Sequence, residues 1–581
     1  MSWANVTDGT RVRTFVAALA LSLSVAGCAG SVMGSGTAGS TGSPGAAGST
    51  GAGTGTAGTS GGAGSGSPGN PNFTLTCSGP TPGSPMLRLL TRTEVVNTLN
   101  DVFPEVKGQW SSSLPSSSIS AHGFDNDGSA QVGNQLASAI LDTATSLATA
   151  LVGSPLANVL PCSTGAADHA CAQTFLAKYG QRLFRRPLTS DEQQSYLAFF
   201  DASKTKSDFK TALKWMTIGL VQSPNTLYRS EIGTDNGGGR QLRPYEIATE
   251  LAYTYTGSTP SDALLQMANG GNLGDPVALA RSLAASDAGK QMLQRFFEQY
   301  LDYASVVSMQ KPNVPMFSQV APDMVQETHA FIDSVVLQGG GGLKELLTAS
   351  TTNPSRALSA YYGTGNAYSG GFPMPSQDYA SVQRPSGLGI GVLAQGAFLA
   401  THASSDTSSP TKRGLFPYYR LFCGAKLTPP ANVPPLDTTS SKPNVNTTRD
   451  RYELLHQMAG SNCAGCHKQF DPIGFASEHF DEGGRYRAKE KTFDINASGS
   501  VTTPGGNMLT FSSQEELMRA LAEEPVIHQC FAAFLAAYGF GSDEPCIGSS
   551  QVPDLQAGKI GIQEAFVRLA GEPHFTQRAS Q

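Results

Sequence analysis

Charge is scarce in this sequence. Lys and Arg number 39 and Asp and Glu 45 among 581 residues, 14% in all, for a formal net charge of −6. A chain so thinly charged, and on balance acidic, excludes a nucleic-acid binder working through a basic surface. Beyond the N-terminus no stretch offers eighteen apolar residues in a row, so the mature chain lies outside a membrane core. Alternating strand patterns are nearly absent too, with Thr492 to Leu509 the best place for a short hairpin, which puts the body in the mostly α class. No G-x-S-x-G, P-loop, dinucleotide fingerprint or H-E-x-x-H occurs, and that removes the commonest hydrolase and nucleotide readings.

What the chain does have is Cys463-Ala464-Gly465-Cys466-His467. C-x-x-C-H is the spacing of covalent c-type haem attachment. Two thiols on adjacent turns reach the two vinyl groups of one porphyrin, and the histidine that follows is the proximal iron ligand. A structural zinc site would need a second ligand pair, and the sequence holds no second C-x-x-C and no H-x3-5-H. A thioredoxin-like dithiol would sit on a βα unit, and no strand pattern precedes Cys463. The implied cofactor is therefore haem c, on Cys463 and Cys466, with His467 on the iron.

The N-terminus fits an exported haem protein. Arg11 and Arg13 precede the apolar run Phe15 to Val25, and Val25-Ala26-Gly27 leads into Cys28, a secretory signal with small residues before the cut. A Cys at that point resembles a bacterial lipobox, with Cys28 as the lipidated first residue. Ala29 and Gly30 after it, by resemblance to other bacterial lipoproteins, point to the outer membrane, periplasmic or surface-facing. Residues 29–71 are almost wholly Gly, Ser, Thr, Ala and Pro, a tether that cannot offset its own ordering entropy. As a flexible coil it spans about 35–40 Å.

Six other cysteines remain, an even number that suggests disulfides in an exported chain. Cys162 with Cys171 and Cys530 with Cys546 are close in sequence, which leaves Cys77 with Cys423 by elimination. Helix signals recur throughout. Thr91 to Glu94, Thr189 to Glu192 and Ser513 to Glu516 have capping-box spacing. Pro244, Pro260, Pro276 and Pro322 stand where first-turn prolines start helices. Met292, Leu293, Phe296, Phe297, Tyr300 and Leu301 mark one buried helical face, and Phe331, Val335 and Val336 another that ends at Gly339. Residues 350–380 and 425–447 read as loop-rich.

Several blocks resemble the exported proteins of planctomycetes and myxobacteria that join a planctomycete cytochrome c-type domain to planctomycete-specific domains of unknown function. They are Arg88-Leu-Leu-Thr-Arg-Thr-Glu94 with Gly123-Phe-Asp-Asn126, then Phe184-Arg-Arg-Pro-Leu-Thr189 through Leu227-Tyr-Arg229 and Glu231. Leu242-Arg-Pro-Tyr-Glu246 to Tyr255 and Asp262 to Leu265 follow. Arg384 to Leu399, Ser409-Pro410, Arg413-Gly414 and Cys423 to Pro430 lead into the C-x-x-C-H stretch, and Phe531 to Gly539 closes the series. The usual ALENFD and YALGR runs are Ala476-Ser-Glu-His-Phe-Asp481 and Ala537-Tyr-Gly-Phe540 here. The resemblance implies a haem protein and supplies no substrate.

The expected organisation is a signal peptide at 1–27, a linker at 28–76, helical modules at 77–160, 161–235 and 236–370, a cytochrome c-type module at 371–490 and a C-terminal helical module at 491–581. A helix from Arg449 to His467 is expected to end at the haem, with a second from Val526 to Ala537 crossing it by analogy with small cytochromes. Met508, in a loop between them, is the candidate distal ligand, with His402, His479, His528 and Met518 as alternatives; His456 would share the haem helix and could not reach the far side of the iron. Arg485, Arg487 and Lys468 are candidates either for the haem propionates or for plain surface, and Glu478, Asp481 and Glu482 read as surface acids. Three functions follow: electron relay with an unknown redox partner, a five-coordinate haem oxidoreductase, or a binding scaffold with structural haem. The lipid anchor is the one membrane contact expected, and the sequence leaves the oligomeric state open.

Overall fold

A computed structural model of the chain describes residues 81–164, 168–364, 371–425, 427, 444–457, 463–542 and 548–580. Cys28, Cys77, Cys546, the signal, the tether and most of 425–447 lie outside them. The described chain is mostly α, and its strands are only two to four residues long. Two of the three capping boxes form in full. Thr91 and Thr189 each form a reciprocal capping box with the glutamate three residues on, opening helices Arg92–Val102 and Ser190–Lys206. Ser513 caps Gln514–Ala522, but Glu516 reaches back to Ser512 rather than to Ser513. Pro244 and Pro276 are first-turn prolines, as their fixed φ and missing N–H favour.

Two prolines stand elsewhere than expected. Pro260 precedes Ser261, whose side chain caps helix Asp262–Asn269. Pro322 lies inside Phe317–Ile332, because that helix already begins at Phe317 after Met316 turns left-handed at φ 63°.

Helix Phe209–Gln222 packs against both Asn134–Gly153 and Ser190–Lys206. Asn134–Gly153 is long and apolar enough to cross a bilayer by length and composition, and it buries Ala144, Leu147 and Leu151 along one face. A larger core joins the later parts of the chain. It runs from Ala248 in Pro244–Thr256 through Phe296 and Tyr300 in Asp287–Leu301 to Phe531 in Pro525–Phe540 and Phe575. Residues 236–370, 371–490 and 491–581 therefore share one apolar interior and do not carry separate cores. Pro525–Phe540 has no charged side chain and is buried on nearly all sides, as a helix that is apolar all round must be.

The two ends of the described chain meet. Strand Met86–Leu89 pairs antiparallel with Tyr228–Glu231, and Gln577–Arg578 pairs with Arg240–Gln241. At this seam Glu231 accepts from Arg88 Nε at 2.7 Å and from Arg578 Nη2 at 2.9 Å, and Arg229 Nε stands 3.3 Å away. Three guanidinium groups thus converge on one buried carboxylate, and they hold its pKa well below the usual range against the upward push of burial.

The expected hairpin forms, with Gly499–Thr502 antiparallel to Met508–Phe511. Of the cysteine pairings, Cys162–Cys171 is present. The other described bridge is Cys423–Cys530, which overturns both Cys530–Cys546 and Cys77–Cys423. Sequence proximity misled here. The fold lays the end of Pro410–Arg420 beside Pro525–Phe540, bringing together two cysteines 107 residues apart.

Candidate functional site

Cys463 caps helix Ala464–Phe475, and its carbonyl accepts from the His467 N–H at 3.0 Å. The motif therefore opens a helix. The expected continuous helix from Arg449 to His467 is instead two short turns, Thr448–Arg451 and Tyr452–His456, ending at Gln457. His456 consequently belongs to a different helix from His467, and its side chain lies outside the described residues. Cys463 and Cys466 are both free thiols and both partly exposed, three residues apart at the first turn and so neighbours on the helix surface.

Because the helix continues past the motif, Asp471 falls four residues after His467, on the same face. Asp471 is completely buried and accepts from three directions. His467 Nδ1 donates to it at 2.9 Å, Thr411 Oγ1 at 2.7 Å and Gln457 Nε2 at 2.8 Å. Full satisfaction keeps a buried carboxylate in place at modest cost. With Nδ1 turned to Asp471, Nε2 is the nitrogen that would bind a metal. Phe470 flanks the ring, with centroids 5.0 Å apart.

Helix Pro410–Arg420 brings Thr411 to this point by unusually close backbone contact. A Cβ on Gly414 would come within 1.9 Å of the Phe470 carbonyl oxygen, and one on Gly474 within 1.9 Å of the Pro410 carbonyl oxygen. Only glycine fits at either place. Next to Gly414, buried Arg413 donates to the carbonyls of Leu399, Ser477, Phe480 and Asp481, pinning the chain that leaves the motif helix. The hairpin closes another side, with Gly499 against the Pro472 carbonyl. Pro410–Arg420 is thus the helix packed along the motif, the place expected of Val526–Ala537. The latter lies in Pro525–Phe540, in the large core, tied to the end of Pro410–Arg420 through Cys423–Cys530.

Around the site the charged residues differ from expectation. Glu478 is not a surface acid. It is 2% exposed, accepts from Ser408 and Arg487, and burial raises its pKa. Asp481 pairs with Arg485 at 2.8 Å. Both arginines are thereby engaged by protein carboxylates, and Lys468 is exposed. Met508 opens a strand rather than sitting in a loop; it lies opposite Thr502 and is 71% exposed. The alternatives are each built into packing. His402 donates Nδ1 to the Phe398 carbonyl between the rings of Phe398 and Phe416, where burial pushes its pKa down to about 4. His479 donates to the Arg487 carbonyl and stacks on Tyr486. His528 is buried and donates to the Ala522 carbonyl, and Met518 is buried in Gln514–Ala522.

The donor set fits haem c. Two accessible thiols at the attachment spacing precede a histidine whose second nitrogen is held by a buried carboxylate, the partner that orients metal-bound imidazoles. Among the described residues no three His, Cys, Asp or Glu side chains converge in a metal-holding cluster. Sequence reasoning missed Asp471, Thr411 and Gln457. Asp471 alone was within reach, through its four-residue spacing from His467.

Four family models match, in chain order. PSD3, a protein of unknown function (DUF1587), matches residues 88–153, and PSD5 (DUF1595) matches 171–231. PSD4 (DUF1592) matches 242–364, and PSCyt3 (DUF1588) matches 390–490, the stretch that contains the motif and its cradle. No curated protein and no solved structure matches the chain.

Proposed function

Since the chain carries the planctomycete-type combination of these domains, with the cytochrome-like one around Cys463, we propose that it is an exported, lipid-anchored c-type haem protein taking part in electron transfer. Cys463 and Cys466 would hold the haem through thioethers and His467 would be the proximal ligand. When bound, such a group supplies a one-electron carrier whose potential follows its axial ligands and their hydrogen bonds.

The observation that supports this reading is the His467–Asp471 contact. Asp471 retains the Nδ1 proton, orients the ring and raises the basicity of the other nitrogen. Thr411 donates to one oxygen of Asp471 and Gln457 to the other, the one His467 contacts, and both bonds hold the carboxylate in place. The glycine-lined crossing of the two helices holds Thr411 against Asp471. Cys28 would anchor the protein to the outer membrane through a lipid, with the tether holding the body away from the bilayer to meet a redox partner.

A second reading, a five-coordinate haem oxidoreductase, draws on the exposure of Met508. The haem absorption spectrum separates the two. Low-spin bands in both oxidation states support electron transfer, while high-spin bands with rapid cyanide or carbon monoxide binding favour the oxidoreductase. Haem attachment itself is tested on denatured protein in a gel. Peroxidase stain should survive in the wild type and vanish in a Cys463→Ala/Cys466→Ala variant; an unstained wild type refutes the haem. A tagged fatty acid should label Cys28, and Cys28→Ala should release the protein from membranes.

A further inference from the structure

Beside the seam lies a cavity of about 280 Å³. On one side the Leu90 N–H donates to the Leu227 carbonyl at 2.8 Å, one residue beyond the paired strands Met86–Leu89 and Tyr228–Glu231, and both residues line the space. Val95 of Arg92–Val102, Ile140 of Asn134–Gly153 and Leu114 line it too. These five aliphatic residues are buried but for 5–7% of their surface. The segment 114–118 closes the cavity, and hydrogen bonds set its place. The Ser113 N–H donates to Thr143 Oγ1 at 2.9 Å, and the Arg92 N–H donates to Ser117 Oγ at 2.8 Å. The space is therefore built into the fold, as ligand pockets usually are.

The lining narrows the ligand. It contains no aromatic residue, so a flat ring would have nothing to stack on. Its two carboxylates are already engaged: Asp125 is paired with Arg295, and Asp127 accepts from the Ser129 N–H at 3.0 Å and from Ser129 Oγ at 2.7 Å. Arg92, the one lining cation, is exposed, where a charge pair is worth little. An ionic head would thus give up its hydration with no counter-charge set aside for it. Ser116, Ser118 and Gln131 also line the cavity, and their side chains have no hydrogen bond among the described residues. Hydroxyl and amide groups both donate and accept, which suits a neutral hydroxyl head. At roughly 30 Å³ for each water-sized share of liquid, the volume holds on the order of nine heavy atoms, the size of an eight-carbon alcohol.

We propose that this cavity binds a neutral aliphatic alcohol of about eight carbons, its chain against Leu90, Val95, Leu114, Ile140 and Leu227 and its hydroxyl toward Ser116, Ser118 and Gln131. The lining residues all lie outside 390–490, the stretch around the cysteine–histidine motif. Nothing in the haem reading requires the cavity, so the two stand or fall separately.

The test is calorimetric titration of the full-length, haem-loaded protein with n-octanol, n-hexanol, octanoate and octylammonium, together with thermal melts. The wild type should bind one equivalent of n-octanol saturably and melt at a higher temperature in its presence. Each methylene is worth about fourfold, so n-hexanol should bind about fifteenfold more weakly. Octanoate and octylammonium should each bind at least about tenfold more weakly than n-octanol. Ile140→Phe fills the cavity and should abolish binding. Should that variant fail to fold, Ser116→Ala/Ser118→Ala, both on exposed positions, should weaken n-octanol about three- to tenfold. The Cys463→Ala/Cys466→Ala variant should bind n-octanol as the wild type does. Absence of saturable binding, equal binding of n-hexanol or of either ion, full affinity in Ile140→Phe or in the serine double variant, or loss of binding on removing the haem cysteines each overturns the proposal.

Discussion

Glu231 and Asp471 are both buried carboxylates, and their surroundings differ in kind. Glu231 lies at the seam where strands Met86–Leu89 and Tyr228–Glu231 meet the C-terminal Arg578, and its partners are the guanidinium groups of Arg88, Arg229 and Arg578. Asp471 lies four residues from His467, and its partners are an imidazole, a hydroxyl and an amide. The first assembly is rich in charge and incompletely bonded: Arg88 Nη1, Arg229 Nη1 and both oxygens of nearby buried Glu250 lack hydrogen-bond partners. The second is nearly neutral in its partners and fully bonded. Charge convergence closes the two ends of the fold together, while exhaustive hydrogen bonding fixes the direction of one ring. Closure tolerates unsatisfied atoms because several arginines share the load. Orientation does not, because one lost bond frees the imidazole.

The largest expected effect falls on the bridge that ties the helix beside the motif to the large core. Replacing Cys423 and Cys530 by Ser frees a loop of 107 residues, which on chain-entropy grounds costs about 4.7 kcal/mol. Removing Cys162–Cys171, whose separation is 9, should cost about 2.6 kcal/mol on the same relation. Denaturant melts under oxidising conditions measure both, and equal losses would remove loop length as the cause. Glu231→Gln comes next. It leaves three buried guanidinium groups short of their counter-charge and should cost about 3–5 kcal/mol. A loss below 1 kcal/mol would mean that Glu250 and Glu94 carry the seam.

Asp471→Asn is smaller in stability, about 1–3 kcal/mol, and larger in chemistry. It should raise the reduction potential of haem-loaded protein, since a less basic imidazole is a weaker donor to the iron. A redox titration that shows no shift would demote Asp471 to a packing residue. The most gradual effect is the response to acid. His402, near the motif, and His574, at the seam, are held neutral by burial, with pKa values pushed down to about 4 and about 3. Because the unfolded chain binds protons at these sites first, the stability they represent is complete above pH about 6.5 and is lost as pH falls toward 4 and 3. The slope is at most about 1.4 kcal/mol per pH unit for each group. His402→Phe should give a shallower acid limb in melts followed against pH; an unchanged limb would place the sensitivity at the seam.

By itself the sequence determined what rests on local chemistry. Cys463, Cys466 and His467 were legible because covalent attachment demands a set spacing, and Thr91 and Thr189 because a cap and its partner sit within four residues. The mostly α class followed from periodicity, and Cys162–Cys171 from nearness along the chain. The tertiary structure alone decided what joins distant residues. Cys423 meets Cys530 because two helices converge, and Glu478 is buried because Arg413 and Arg487 fold over it. Thr411 reaches Asp471 only where Gly414 and Gly474 let two backbones touch. Such contacts depend on how helix faces pack, and a one-dimensional pattern carries the period of a face without naming its partner.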